Sequence, residues 1–151
     1  MSDNSQESVH ALIMAMHNEL DTIQIYEHIL KYLNDAKARE LLHRLIVEEH
    51  NHEQEIKEKI LSAGGEVPQP DAKPHEDFPN REQLLDLELE NCTVSELVNL
   101  AIENERMSRD FYLAQQDRAT SPEVKAIFKW LVAQEEEHIR NLKAEYGDLL
   151  G

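Results

Sequence analysis

The sequence predicts an all-α protein, an antiparallel four-helix bundle made of two helical hairpins joined by a long crossover. Three observations lead there. Residues 6–63, 94–119 and 123–146 contain neither glycine nor proline, so nothing in them breaks a helix. Apolar residues recur along these stretches at steps of three and four, the spacing that keeps side chains on one helical face. The first half of the chain also overlays the second after a shift of 86 positions.

The first breaker-free stretch is too long for one ordinary globular helix. Asn34-Asp35 offers a turn and a cap, which splits it into helices over about 7–33 and 36–63. The third helix is expected over 94–119, opened by Thr93-x-x-Glu96, a capping box whose two side chains satisfy amides at the helix start. The fourth runs over 122–146. Ser121 is its N-cap, Pro122 its first residue and Gly147 its end. The crossover, 64–93, is rich in proline and charge. Asn80-Arg81-Glu82-Gln83-Leu84-Leu85 has the composition of a short extra helix. Cys92, the single cysteine, precedes the Thr93 cap and is placed to pack onto Leu97. With 151 residues, one domain spanning 1–151 is expected.

Charge and composition narrow the function. Lys and Arg number 15 against 31 Asp and Glu, a formal charge of −16. That excess argues against nucleic acid or an anionic membrane as partner, since both require cationic patches. One cysteine excludes a disulfide framework or Cys-x-x-Cys metal site within the chain. No apolar run is long enough to span a bilayer, and the polar N-terminus does not read as a secretory signal. A cytoplasmic location is expected.

The apolar stripes have polar gaps. Helix one reads Leu12, Met16, Glu19, Ile23, Tyr26, Leu30, Leu33. Helix two reads Ala38, Leu42, Leu45, Glu49, His52, Ile56, and helix four reads Val124, Phe128, Leu131, Glu135, His138, Leu142. Under the 86-residue shift Glu19 falls on Glu105, Tyr26 on Tyr112, Glu49 on Glu135 and His52 on His138. Glu-x2-His alone is weak evidence, because it occurs four times in the chain. Only Glu49/His52 and Glu135/His138 both lie on the stripe and obey the shift. Glu103 is a rival to Glu105 but fails the repeat. Buried carboxylates need a compensating charge. Two divalent ions would balance four of them, and carboxylate plus imidazole suits iron or manganese and permits zinc. A Glu from each of two helices and a Glu-x2-His from each of the other two is the known arrangement of di-iron and di-manganese carboxylate bundles.

On these residues the chain resembles the ferritin-like superfamily, and most closely its rubrerythrin-like branch. The carriers are Glu19-x6-Tyr26, Glu48-Glu49-x2-His52, Glu105-x6-Tyr112 and Glu135-x2-His138. The resemblance implies a ferritin-like bundle and a non-haem centre of two iron ions, ligated by Glu19, Glu49, His52, Glu105, Glu135 and His138, that reacts with peroxide or dioxygen. It also implies that Tyr26 and Tyr112 hydrogen-bond metal-bound carboxylates. Rubrerythrins carry a rubredoxin-type domain with a four-Cys iron site. This chain has one cysteine, so a separate electron-donor protein is expected. They also carry a further Glu where this chain has Ser108, which leaves a six-ligand set closer to the ferroxidase centre of bacterioferritin.

The expected function is therefore a di-iron oxidoreductase of ferroxidase or peroxidase type, assembled as a homodimer. The rivals are a manganese catalase-like enzyme, a non-catalytic iron-binding or storage protein, and an acidic helical adaptor without metal. Arg109 overlays Ile23 on the inner stripe; it either pairs with a core carboxylate or sits at the rim. His10, His17, His28, His43, His50 and His75 read as surface residues.

Overall fold

A computed structural model describes residues 3–69 and 88–147, with side chains from residue 6 onward. Four helices are present among them: α1 (Asp3–Leu30), α2 (Ala36–Ser62), α3 (Val94–Arg118) and α4 (Pro122–Tyr146). α1 packs on α2 and α3 on α4 as two hairpins, and α1 joins the hairpins by packing on α3 and, less extensively, on α4. The segment 80–85 and His75 lie outside the described residues.

Local chemistry accounts for the helix ends. Asp35 accepts from the Ala38 amide at 2.8 Å to start α2. Thr93 and Glu96 form the reciprocal capping box of α3, at 3.1 and 3.2 Å. Ser121 caps α4 through the Val124 amide at 3.3 Å, with Pro122 following. α1 stops at Leu30, three residues short of the sequence expectation. Lys31, Tyr32 and Leu33 continue in tighter bonds to carbonyls three residues back, and the Arg39 guanidinium donates to the carbonyls of Leu30 and Leu33 at 2.6 and 2.9 Å. An arginine from the next helix thus satisfies acceptors that the helix end leaves open. Gly147 follows α4 in the right-handed region, so no left-handed glycine turn closes that helix.

The end of α2 does use one. Gly64 has φ of 85°. Its amide donates to Leu61 and that of Gly65 to Ile60, at 3.0 and 2.9 Å, the paired bonds of a Schellman motif. A methyl group at Gly64 meets nothing within 4 Å, so the cost of Gly64→Ala is conformational alone. It should destabilise the protein by about 1–2 kcal/mol, read as a shift in the urea midpoint with an unchanged m-value.

The core divides into two apolar clusters at opposite ends of the bundle. One gathers Tyr26, Ile29, Leu33, Leu42, Leu97 and Leu142 with their neighbours, and Leu89 from the segment before α3 closes it. Cys92 is half-buried against this cluster, which includes Leu97. The other gathers Leu12, Met16, Ile56, Ile60, Tyr112 and Phe128. Between them the stripe is polar: Glu19, Glu49, Glu105, Glu135, His52 and His138 are all buried.

His17 corrects the surface reading, because it is buried, and burial lowers its pKa. The reason is topological: α1 packs against three helices, so its buried arc is wider than one stripe. His28 is half-buried with its ring edge-on to Tyr32, whereas His10, His43 and His50 are exposed.

Candidate metal centre

The structure brings the six residues singled out by the repeat into one mid-bundle layer. They form two overlapping groups. Glu19, Glu49, His52 and Glu135 offer ligand atoms within 4.8 Å of one another, and so do Glu49, Glu105, Glu135 and His138. Glu49 and Glu135 belong to both groups, while Glu19/His52 and Glu105/His138 each belong to one. Each carboxylate is at most 1% exposed.

This layer has few hydrogen bonds of its own. Glu19 Oε2, both Glu49 oxygens, Glu105 Oε2, His52 Nδ1 and His138 Nδ1 are buried with no hydrogen-bond partner. They approach one another all the same. His138 Nδ1 stands 3.0 Å from Glu49 Oε1 and 3.4 Å from Glu105 Oε2; His52 Nδ1 is 3.8 Å from Glu49 Oε2 and 3.9 Å from Glu19 Oε2. Orphaned buried polar atoms are costly. Here they converge from four helices on shared points, with oxygen and imidazole nitrogen donors. That set fits two divalent cations.

Electrostatics agree. Burial alone pulls the His138 pKa down, but the carboxylates of Glu105 and Glu49 outweigh it and hold it up at about 11. His52 is raised too, with burial opposing and Glu49 prevailing. For Glu105 burial pushes upward, yet the neighbouring Glu135, His138 and Tyr26 side chains lower its pKa overall. Without metal, the His138 imidazole is a cation of this layer.

Two tyrosines cross the bundle to support it. Tyr26 on α1 donates to Glu105 on α3, and Tyr112 on α3 donates to Glu19 Oε1 on α1 at 3.0 Å. Both are fully buried. Burial, then the Glu105 charge, raises the Tyr26 pKa well above 10, so the phenol remains a donor. Tyr26→Phe leaves the Glu105 oxygen without its donor. It should weaken metal binding at that position by about 10–100-fold, measured by competition against a chelator of known affinity.

Residues outside the six-residue set surround the centre. Ser108 is fully buried; Asn18 donates to it at 3.1 Å, and Thr22 lies 3.3 Å from its oxygen. Glu48 reaches from α2 to His138 Nε2 at 2.6 Å. The signal was available, since the same 86-residue shift lays Asn18 on Asn104, Thr22 on Ser108 and Glu48 on Gln134. Arg109 resolves to the rim, bonded to Asp110 through Nε and Nη2 at 3.2 Å and not to a core carboxylate. Glu103 is exposed and pairs with Arg106 at 3.6 Å.

The centre has an opening between α2 and α4. There a polar pocket of about 200 Å³ is lined by Glu48, Asn51, Glu55, Gln134 and Glu137, with His52 and His138 at its floor. The two rings lie nearly parallel, 5.7 Å apart.

Residues 96–151 match the family model described as Rubrerythrin. Over its full length the chain superposes on a ferritin-like, diiron-carboxylate protein from Bacillus anthracis, with TM-score 0.65, 19% identity and 100% of each chain covered. Residues 96–151 are thus rubrerythrin-like in sequence, and the whole chain has the fold of the ferritin-like, diiron-carboxylate protein. A hypothetical protein from Pyrococcus furiosus shares this fold at TM-score 0.63 and 22% identity, covering 95% of this chain and 90% of that one. A conserved hypothetical protein from Mycobacterium tuberculosis does so at TM-score 0.67 and 13% identity, covering 95% and 98%. None of the curated proteins matches this sequence. Among its described residues, no helix is long and apolar enough to cross a membrane.

Proposed function

We propose that the chain holds two iron ions through Glu19, Glu49, His52, Glu105, Glu135 and His138 and acts as an oxidoreductase on peroxide or dioxygen, of ferroxidase or peroxidase type. The observation that carries this reading is the pair of overlapping donor groups sharing Glu49 and Glu135. The family match and the diiron-carboxylate neighbour favour iron over other divalent ions. When bound, the ion pair supplies the redox electrons, one from each ferrous ion, for reduction of an O–O bond.

The protein's own part is to build and guard the layer. Glu49 and Glu135 present oxygens to both positions, and Glu19 and Glu105 each serve one. The Tyr26 and Tyr112 hydroxyls hold the Glu105 and Glu19 carboxylates in orientation. The apolar clusters on either side exclude bulk water from the layer. The opening between α2 and α4 admits small polar species past Glu48, Glu55 and Glu137, whose charge favours cations. Peroxidase turnover also requires an electron donor to return the ions to the ferrous state.

The test is metal analysis of protein made in iron-replete cells, followed by addition of peroxide or dioxygen to the ferrous-loaded form. About two irons per chain, oxidised at a rate that depends on the oxidant chosen, is the expected result. Clearly less than one metal per chain, unchanged in Glu49→Ala and Glu135→Ala, would sink the reading. Peroxide disproportionation without reductant by manganese-loaded protein alone would replace it with the catalase-like one.

A further inference from the structure

The 86-residue correspondence between the hairpins fails at a position that touches an imidazole of the centre: Glu48 in the first half is Gln134 in the second. Both side chains line the pocket between α2 and α4. Glu48 Oε2 lies 2.6 Å from His138 Nε2. Gln134, its counterpart on α4, lines the same pocket beside His52. Both imidazoles turn Nδ1 toward buried carboxylates, His138 to Glu49 and Glu105 and His52 to Glu49 and Glu19.

The donor sets of the two positions are matched. Each has three carboxylates and one imidazole, and each has one terminal carboxylate held by a tyrosine hydroxyl. The backing groups are not matched. A carboxylate behind an imidazole orients the ring, strengthens its other nitrogen as a donor and adds negative charge near the ion; a neutral amide only orients it. Resting on the metal-binding reading above, we propose that the two positions are inequivalent. Glu48 makes the position formed by Glu49, Glu105, Glu135 and His138 the tighter one, filled first by a divalent cation, and the Glu19/His52 position fills second.

Two cations side by side repel, so two-step binding would appear even in a symmetric centre. The decisive measurement is which position fills first. Metal-free protein given one equivalent of manganese(II) per chain and crystallised should show its main anomalous peak beside His138. In the exchanged protein, Glu48→Gln with Gln134→Glu, the main peak should move beside His52. In calorimetric titrations with manganese(II), Glu48→Gln alone should weaken the first step by about 10–100-fold, while Gln134→Glu alone should tighten the second. The Gln134→Glu gain cannot arise from misfolding, and Glu48 is half-exposed, so neither change disturbs the packed core. Equal peaks in the unsubstituted protein, or a peak that stays beside His138 after the exchange, overturn the inequivalence while leaving the metal centre intact. Absence of manganese at both positions overturns the metal reading beneath it.

Discussion

Glu49→Ala is expected to cost the protein both metal ions, and Glu135→Ala should do the same. Each of these carboxylates belongs to both donor groups, so its removal leaves two incomplete positions whose remaining donors have no bridge. Glu19→Ala and Glu105→Ala each strip one donor from one position. They should leave about one metal per chain at moderate metal concentration. The loss of affinity in the Glu49 and Glu135 variants should exceed the roughly 10–100-fold that removal of a ligand's supporting partner costs. Metal per chain, measured after desalting, separates the two classes. The metal-free variants should keep the helical circular dichroism of the metal-free parent, which a variant that merely misfolded would not.

Metal loading should raise the melting temperature on the order of 10 °C. A ligand that binds only the folded state stabilises by about 2.7 kcal/mol at one hundred times its dissociation constant and about 4.1 at one thousand. For a chain of this size each kcal/mol moves the midpoint by about 2–4 °C. The gain should also grow with pH, and His138 gives the sign. Its folded pKa, about 11, lies above the ordinary 6.5. The stability this proton contributes to the metal-free protein is complete below about pH 6.5 and is lost progressively as pH rises through 11. A metal binds the neutral ring and displaces the proton. From pH 6 to pH 9 the metal-free protein should lose stability and metal affinity should rise, so the gap between the two melting curves widens. Scanning calorimetry of both forms across that range, in buffers that do not chelate, reads it directly. A gap that is constant or closes with pH would show that His138 is not a ligand.

Much of the architecture was legible in the chain because its determinants are local. Helix bounds follow from where glycine and proline fall and from caps that act within four residues, as at Asp35, Thr93 and Ser121. The layer of Glu19, Glu49, His52, Glu105, Glu135 and His138 was legible because two hairpins with the same spacing, packed about a pseudo-twofold, must bring equivalent positions to equivalent depths. The end of α1 was not legible. Leu30 ends the helix because Arg39, on the next helix, takes its carbonyl, and a donor arriving from elsewhere leaves no mark in the spacing of α1. His17 was misjudged for a related reason, since the width of a buried arc depends on how many neighbours a helix has.

The sequence by itself determined the helices, their caps and the six residues of the central layer, since periodicity and internal repetition are properties of the chain. Tertiary structure alone decided how those residues are shared and supported. It made Glu49 and Glu135 common to both positions, crossed Tyr26 to Glu105 and Tyr112 to Glu19, set Glu48 behind His138 and turned Arg109 out to Asp110. Each of these depends on the offset and rotation of one helix against another and on a side-chain rotamer. Spacing along a single helix encodes neither.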